Sequence, residues 1–311
     1  MAMRVVVTGA GGFIGSHLVE ALVRRGDVVD PWVRGARRGL LEIPVETVAV
    51  DITDSNAVFG RLEKFAPELI FHLAGQSLPG RSWDDPVLTY QVNVIGTIQL
   101  LQAVRMLPRP PRVLVAGSSA EYDDSRGDTP IAEATPTRPN SPYGASKLAA
   151  NNLVELYYRR YGLDLVRFRP FFIAGPRKTG DVCSDFARRI VAIERGGENM
   201  LRVGSLEVVR DVLDIRDGIS GILRIADAGA PGELYNVCSG RGVRIGDILD
   251  IYCRLSKMLL KATPDPALVR SLEQKVRIGD ASRLRALGWQ PRFELVETLT
   301  SILDYWRRAP S

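Results

Sequence analysis

The stretch Arg4-Val5-Val6-Val7-Thr8-Gly9-Ala10-Gly11-Gly12-Phe13-Ile14-Gly15 passes from a β-branched apolar run into glycines spaced G-x-x-G-x-x-G. A valine run of this length reads as a buried strand, and residues 16–25 beyond it have helical apolar spacing. Between strand and helix each spaced glycine has a task. Gly9 permits a tight turn, Gly12 lets backbone approach a pyrophosphate, and Gly15 lets the helix pack closely on the strand. The helix N-terminus then offers free N–H groups and a positive dipole end to the phosphate charge. The stretch is read as a dinucleotide-binding loop, with Phe13 and Ile14 in the turn that meets the cofactor.

Outward from the loop the pattern alternates. Strand-like runs at 28–33, 45–50, 69–73 and 113–116 are separated by helical stretches at 54–65 and 87–106. Strands separated by helices make βαβ units, hence a parallel sheet covered on both faces. A long helix over 144–161 precedes a strand at 163–169, and after Pro170 the alternation loosens. Helix 184–195, a short strand near 201–203, a loop and helix over 210–227, strand 234–237, helix 245–259 and helix 296–307 follow. The expected fold class is α/β, a Rossmann-like doubly wound parallel sheet with a smaller interleaved C-terminal substrate-binding lobe. Residues 1–170, with returns near 208–240, form the first part and residues 171–311 mainly the second.

Composition narrows the function. The chain has 311 residues, 45% hydrophobic and 25% charged, ordinary for a soluble globular protein. No run reaches the roughly 18–20 consecutive apolar residues of a membrane helix, and the first strand begins too early to leave a signal peptide. Cys183, Cys238 and Cys253 are odd in number and contain no C-x-x-C, which suits reduced thiols and a cytoplasmic location. Only His17 and His72 are present, and His72 lies in an apolar run, so it reads as a core residue and no metal is expected. The net charge of +5 comes from scattered pairs such as Arg24-Arg25 and Arg188-Arg189. Without a basic tract interleaved with aromatics, neither nucleic acid nor membrane is expected as a partner; an attraction for anionic small substrates remains.

The end of the second strand selects the cofactor. Arg34, followed by Arg37 and Arg38, suits the 2′-phosphate of NADP by charge and fork geometry. If Pro31 ends the strand early, Asp30 is the acid that NAD would require, so NAD stays possible. Asp51 and Ile52 at the next strand end would meet the adenine, and Leu73, Ala74 and Gly75 form a small-residue tip where cofactor passes close to backbone.

Ser141-Pro142-Tyr143-Gly144-Ala145-Ser146-Lys147 opens the long helix and puts Tyr143 and Lys147 on one face, at i and i+4. A lysine beside a tyrosine is expected to lower the phenol's pKa and prepare it for proton exchange. Upstream, Gly117-Ser118-Ser119-Ala120-Glu121-Tyr122 ends a strand with two hydroxyls.

Taken in order, TGAGGFIG, DITD, FHLAGQS, NVIGT, GSSAEY, SPYGASK, VRFRPF, VRDVLDIRD, YNVCSG and LGWQP resemble the extended short-chain dehydrogenase/reductase family. The branch they are similar to is the nucleotide-sugar epimerase/dehydratase one. The resemblance implies Tyr143 as acid/base, Lys147 orienting it and holding the nicotinamide ribose, and Ser118 on the reacting oxygen. It also puts Ser119 and Gln76 beside the sugar, Asn93 in support of the cofactor site, and Pro170 and Phe171 along the nicotinamide. In the C-terminal half, VGSLEVVRD and LVRSLEQKVRIGD look most like the GDP-4-keto-6-deoxy-mannose reductases, which make GDP-rhamnose. That likeness implies Arg210 on the substrate phosphates, Arg270 and Glu273 on the nucleotide, a GDP-linked sugar as substrate and a homodimer.

Two positions depart from the family. Phe172 stands where an asparagine usually touches the substrate diphosphate. Ala120 stands where a 4,6-dehydratase carries its glutamate, and in an extended segment the adjacent Glu121 would point to the opposite face. Dehydration is therefore disfavoured. The three residues Ser118, Tyr143 and Lys147 serve a 4-keto reductase and a 4-epimerase equally, and Arg34 with the C-terminal likeness tilts toward the reductase.

Overall fold

The computed structural model describes residues 2–35, 39–123, 129–198, 200–256, 258, 262–265 and 275–309. Arg37, Arg38, Arg270 and Glu273, expected at the cofactor and nucleotide, lie outside the described residues.

The first half runs β1 (Arg4–Thr8), α1 (Phe13–Arg25), β2 (Val28–Val33), β3 (Val48–Ala49), α2 (Ser55–Phe65), β4 (Leu69–His72), α3 (Pro79–Asp84), α4 (Pro86–Tyr90), α5 (Gly96–Met106), β5 (Arg112–Ala116), α6 (Pro142–Tyr161) and β6 (Leu165–Pro170). The second half runs β7 (Phe172–Ala174), α7 (Val182–Glu194), β8 (Leu201–Val203), β9 (Val209–Asp214), α8 (Ile215–Ala228), β10 (Leu234–Val237), β11 (Gly242–Arg244), α9 (Ile245–Ser256), β12 (Ala262–Pro264), β13 (Val276–Arg277), α10 (Ser282–Ala286) and α11 (Leu295–Arg308).

Seven strands form one sheet in the order β10-β6-β5-β4-β1-β2-β3, with every pairing parallel. The order reverses between β1 and β4, so the crevice at their C-terminal ends is the expected binding position of a doubly wound sheet. Period-2 alternation in β1 builds both layers. Val5 and Val7 join Leu18, Leu22, Phe71, Leu114, Ile222 and Ile225 under α1 and α8. Val6 faces the other way, onto Leu62, Ile70, Leu100, Val104 and Val154 under α2, α5 and α6. Each such aliphatic side chain, fully buried, contributes about 1.5–3 kcal/mol.

A smaller sheet pairs β9 with β7 and β13 in parallel and with β11 antiparallel. Its core holds Phe186, Ile190, Ile248, Tyr252, Leu299 and Ile302 of α7, α9 and α11.

Two elements differ from the sequence pattern. The strand expected at 45–50 is reduced to Val48–Ala49, which among the described residues is an edge paired to β2. Within the expected loop over 210–227 lies β9, whose charged letters hide a buried strand. Asp211 accepts from the N–H groups of Ser239 (2.7 Å), Gly240 (2.9 Å) and Gly279 (3.1 Å) and from the Ser239 hydroxyl (2.7 Å), so its polarity is satisfied inside. The helical run Pro86–Met106 is long and apolar enough to cross a membrane, but 44% of its most apolar window is buried in the protein.

Candidate active site

The glycine loop is as tight as its spacing demands. Gly9 has φ of +68°, and a Cβ there would sit 2.7 Å from the Ala74 nitrogen. A Cβ on Gly15 would run into the Gly9 carbonyl, so α1 starts directly against the loop. Backbone of the loop and of the Leu73-Ala74-Gly75 tip thus flank one cleft at the β1–β4 reversal, a cradle that fits a pyrophosphate on the α1 N-terminus.

Beneath that cleft His72 is buried between two hydroxyls, each 2.9 Å away. The Thr8 hydroxyl accepts from the Leu73 and Ala74 N–H groups, so it donates to Nδ1. Thr97 gives its own proton to the Asn93 carbonyl at 2.7 Å, so it accepts from Nε2–H. His72 is the neutral core residue the sequence indicated, and burial followed by the Lys147 charge lowers its pKa to about 3.

Asn93 lies in a π-helical turn, Gln91–Ile95, inserted between α4 and α5. Such turns recur at functional sites because the extra residue redirects a side chain. Here the Asn93 amide clamps the Gln76 backbone, accepting from its N–H at 2.8 Å and donating to its carbonyl at 3.1 Å, and also donates to Ser146. The Gln76 side chain, expected beside the sugar, folds back onto Leu78 and Thr89 instead. There it shapes the loop.

Ser118, after β5, and Tyr143 and Lys147, both on α6, come together and are all buried. Ser118 follows β5, where its hydroxyl accepts from Ala120 N–H at 3.1 Å and its proton is free to serve the Tyr143 oxygen, with which it shares a hydrogen bond. Tyr143 is fixed at the start of α6, its N–H donating to Ser82 at 3.0 Å and its carbonyl accepting from Ser146 at 2.7 Å. Lys147, one turn on, donates to the Ala116 carbonyl at 2.9 Å.

The electrostatics depart from expectation. Burial is the largest influence on Tyr143 and raises its pKa; the Ser118 hydrogen bond lowers it, and Glu121 raises it. Burial also brings Lys147 down to about 8, opposed by Glu121. Burial therefore outweighs any acidification of the phenol in this arrangement, and Tyr143 holds its proton.

Gly75 faces this group closely. A Cβ there would lie 2.9 Å from Asn93 Oδ1 and 3.3 Å from Lys147 Nζ. Gly75→Ala is expected to cut turnover by about 10²-fold, the scale of a misplaced site, while the thermal midpoint barely moves. Calorimetry alongside steady-state rates checks this.

The stretch after Ser118 is a 3₁₀ turn, Ser119–Glu121, rather than an extended segment. The result for Glu121 is nonetheless the one foreseen, because its carboxylate turns inward to Arg169 and Asn151. Ala120, half-buried, brings only a methyl group.

At the cofactor's outer end, Arg34 is exposed just past β2. Asp30 lies inside the strand, buried and bound by Arg61 at 2.5 and 2.8 Å and by the Trp32 indole at 2.8 Å. It is a structural ion pair, so it is not the ribose acid. Asp51, exposed on the same rim, accepts from Thr53 N–H and hydroxyl, which are the main causes of its lowered pKa, with Arg34 contributing. Ile52 is buried against Gly96.

On the substrate side, Phe171 packs against the core beside Tyr122, 6.2 Å between ring centroids, while Pro170 ends β6 half-buried. Phe172 carries the Lys178 ammonium 4.4 Å from its ring centroid, and Lys178 also reaches the Phe13 ring at 5.4 Å. Arg210 of β9 is half-buried and is the register partner of Arg277 in β13. Arg277, which lies in the LVRSLEQKVRIGD stretch without a role assigned by that likeness, donates to the Ser119 carbonyl, and burial lowers its pKa to about 10. This arginine beside the catalytic turn comes from a two-residue strand with no periodicity to reveal it.

The family described as GDP-mannose 4,6 dehydratase matches residues 6–302. The chain belongs to this family. The resemblance to extended short-chain dehydrogenases/reductases, drawn from the motifs, is borne out, and the protein is an enzyme of that type. A GDP-6-deoxy-D-mannose reductase of Pseudomonas aeruginosa is 33% identical over 310 residues, covering 98% of both chains. The solved structure of RMD from Pseudomonas aeruginosa complexed with NADPH has a TM-score of 0.85 at 31% identity, covering 98% of this chain and 99% of that one. The UDP-glucose 4-epimerase of Thermus thermophilus in complex with NAD has a TM-score of 0.88 at 29% identity, covering 99% and 100%. The GDP-mannose 4,6-dehydratase family thus includes this chain among relatives named for different reactions.

Proposed function

We propose that the enzyme reduces a 4-keto-6-deoxy sugar on a nucleoside diphosphate, GDP-4-keto-6-deoxy-mannose to GDP-rhamnose, with NADPH. The observation that carries the reading is that Ser118, Tyr143 and Lys147 are buried together, Ser118 on the Tyr143 phenol, with no free carboxylate in the turn. Glu121, the one acid there, is consumed by Arg169 and Asn151. Dehydration needs a base for the sugar C5 proton and an acid for the C6 hydroxyl, and Ala120 offers neither.

Reduction asks less of the chain. A nicotinamide held in the cleft would supply the hydride to C4. Tyr143, its pKa raised by burial, arrives protonated and gives that proton to the C4 oxygen. Ser118 donates to the same oxygen as negative charge develops. The Lys147 ammonium stabilises the tyrosinate left behind until solvent restores its proton. Arg210 and Arg277 are suited to the anionic part of the substrate, and the GDP-6-deoxy-D-mannose reductase relative supports the GDP-linked sugar.

Arg34 beside the exposed rim supports NADPH, as does the burial of Asp30 in its pair with Arg61. Arg34→Ser is expected to raise KM for NADPH about 10–100-fold, the worth of a charge-assisted hydrogen bond, with KM for NADH unchanged. Parallel titrations with the two cofactors check it.

The proposal sets the reaction in the cytoplasm, in keeping with three free cysteines. It also includes a homodimer, supported by the exposed Met106, Leu156 and Tyr161 on α5 and α6. Light scattering is expected to give twice the chain mass, and Leu156→Glu the single mass.

A further inference from the structure

Glu121 is fully buried yet lies in the turn that carries Ser118. Three residues donate to its carboxylate. Ser118 N–H reaches Oε1 at 2.7 Å, Asn151 Nδ2 spans both oxygens at 2.6 and 2.7 Å, and Arg169 donates from Nε at 2.7 Å and Nη2 at 2.6 Å. Donors on both oxygens, an arginine among them, hold the carboxylate as the accepting side of a buried ion pair.

The helix explains why that charge stands where it does. Tyr143, Lys147 and Asn151 are spaced i, i+4 and i+8 on α6 and share one face. Lys147 is therefore bracketed by the tyrosine on one side and by the residue holding Glu121 on the other. The backbone repeats the juxtaposition. Lys147 Nζ is held by the Ala116 carbonyl, and a Cβ on the next residue, Gly117, would collide with Glu121 Oε1 and Asn151 Nδ2.

We infer that Glu121 is a positioning residue: its carboxylate, locked by Arg169 and Asn151, fixes the Ser118 backbone and places a buried negative charge facing Lys147. The inference rests on the acid role proposed for Tyr143 and Lys147. The charged and titratable groups that face Lys147 are Glu121, with Arg169 of β6 paired to it, His72 of β4, kept neutral by burial, and Tyr143 on α6 itself. Of these Glu121 is the one that favours the ammonium. Burial opposes it, and without Glu121 burial acts alone.

The test follows the lysine directly. Competitive labelling of Lys147 with an amine-reactive anhydride, read by mass spectrometry across pH, gives its midpoint without requiring turnover. In Glu121→Gln the midpoint is expected to fall by about one pH unit, and the alkaline limb of the kcat profile is expected to fall with it. Should Glu121→Gln leave Arg169 unpaired and fail to fold, the double variant Glu121→Gln with Arg169→Met removes both charges and is expected to lower the midpoint in the same direction. A folded variant whose Lys147 midpoint matches the wild type overturns the inference, even if its kcat is reduced. A shifted midpoint in a protein that turns over no 4-keto sugar upholds the inference and overturns the proposed reaction instead.

Discussion

Tyr143→Phe is expected to lower kcat by about 10²–10⁴-fold, the contribution of a positioned general acid, with little change in cofactor affinity. The reasoning is geometric. The phenol oxygen meets Ser118, and the rest of Tyr143 is held by contacts phenylalanine keeps, namely its backbone bonds to Ser82 and Ser146. Phenylalanine therefore removes a proton and a hydrogen bond while leaving α6 in place. Cofactor titration by fluorescence, together with single-turnover rates, separates the two quantities. A kcat within a few-fold of wild type would show that the proton comes from elsewhere.

The second large effect is on stability in acid. His72 has a folded pKa of about 3, set mainly by burial and then by Lys147, and His17 one of about 4, set by burial and then by Arg177. Both take up protons near 6.5 when unfolded. A depressed folded value means the stability is complete above 6.5 and is lost as pH falls toward the folded values, because only the unfolded chain gains the proton. At about 1.36 kcal/mol per pH unit per group, lowering the pH from 6.5 to 5 is expected to remove about 2 kcal/mol for each histidine, about 4 together. That is a large part of the about 5–15 kcal/mol a domain has. Urea unfolding at pH 7 and pH 5 measures it. His72→Gln, which cannot titrate, is expected to shrink the pH difference by about half, and an unchanged difference would assign the acid sensitivity to other groups.

Local features were legible in the sequence, and distant partners were not. The glycine loop is a strand, a turn and a helix start in one run, and the close approach of Gly9 to Ala74 matches what its spacing demanded. Tyr143 and Lys147 are neighbours on one helix, so i and i+4 sufficed to pair them. Asp30 illustrates the limit, because its role is settled by Arg61, 31 residues away. Likewise Glu121 is explained by Asn151 and Arg169, 30 and 48 residues on, which no local pattern connects to it. The stretch that holds β9 reads as a loop in the sequence. Only the surrounding N–H groups, supplied by Ser239, Gly240 and Gly279, make Asp211 a buried residue. The pKa of Tyr143 failed for a related reason: pairing a lysine with a tyrosine predicts a direction, but burial of both is the larger influence.

The most direct measurement follows NADPH absorbance with GDP-4-keto-6-deoxy-mannose and identifies the product. The proposed reaction predicts stoichiometric NADPH oxidation and GDP-rhamnose, with Tyr143→Phe inactive. No NADPH consumption, with NAD retained through purification and C4 epimers of a nucleotide sugar interconverted, would contradict it and assign the same three residues to an epimerase.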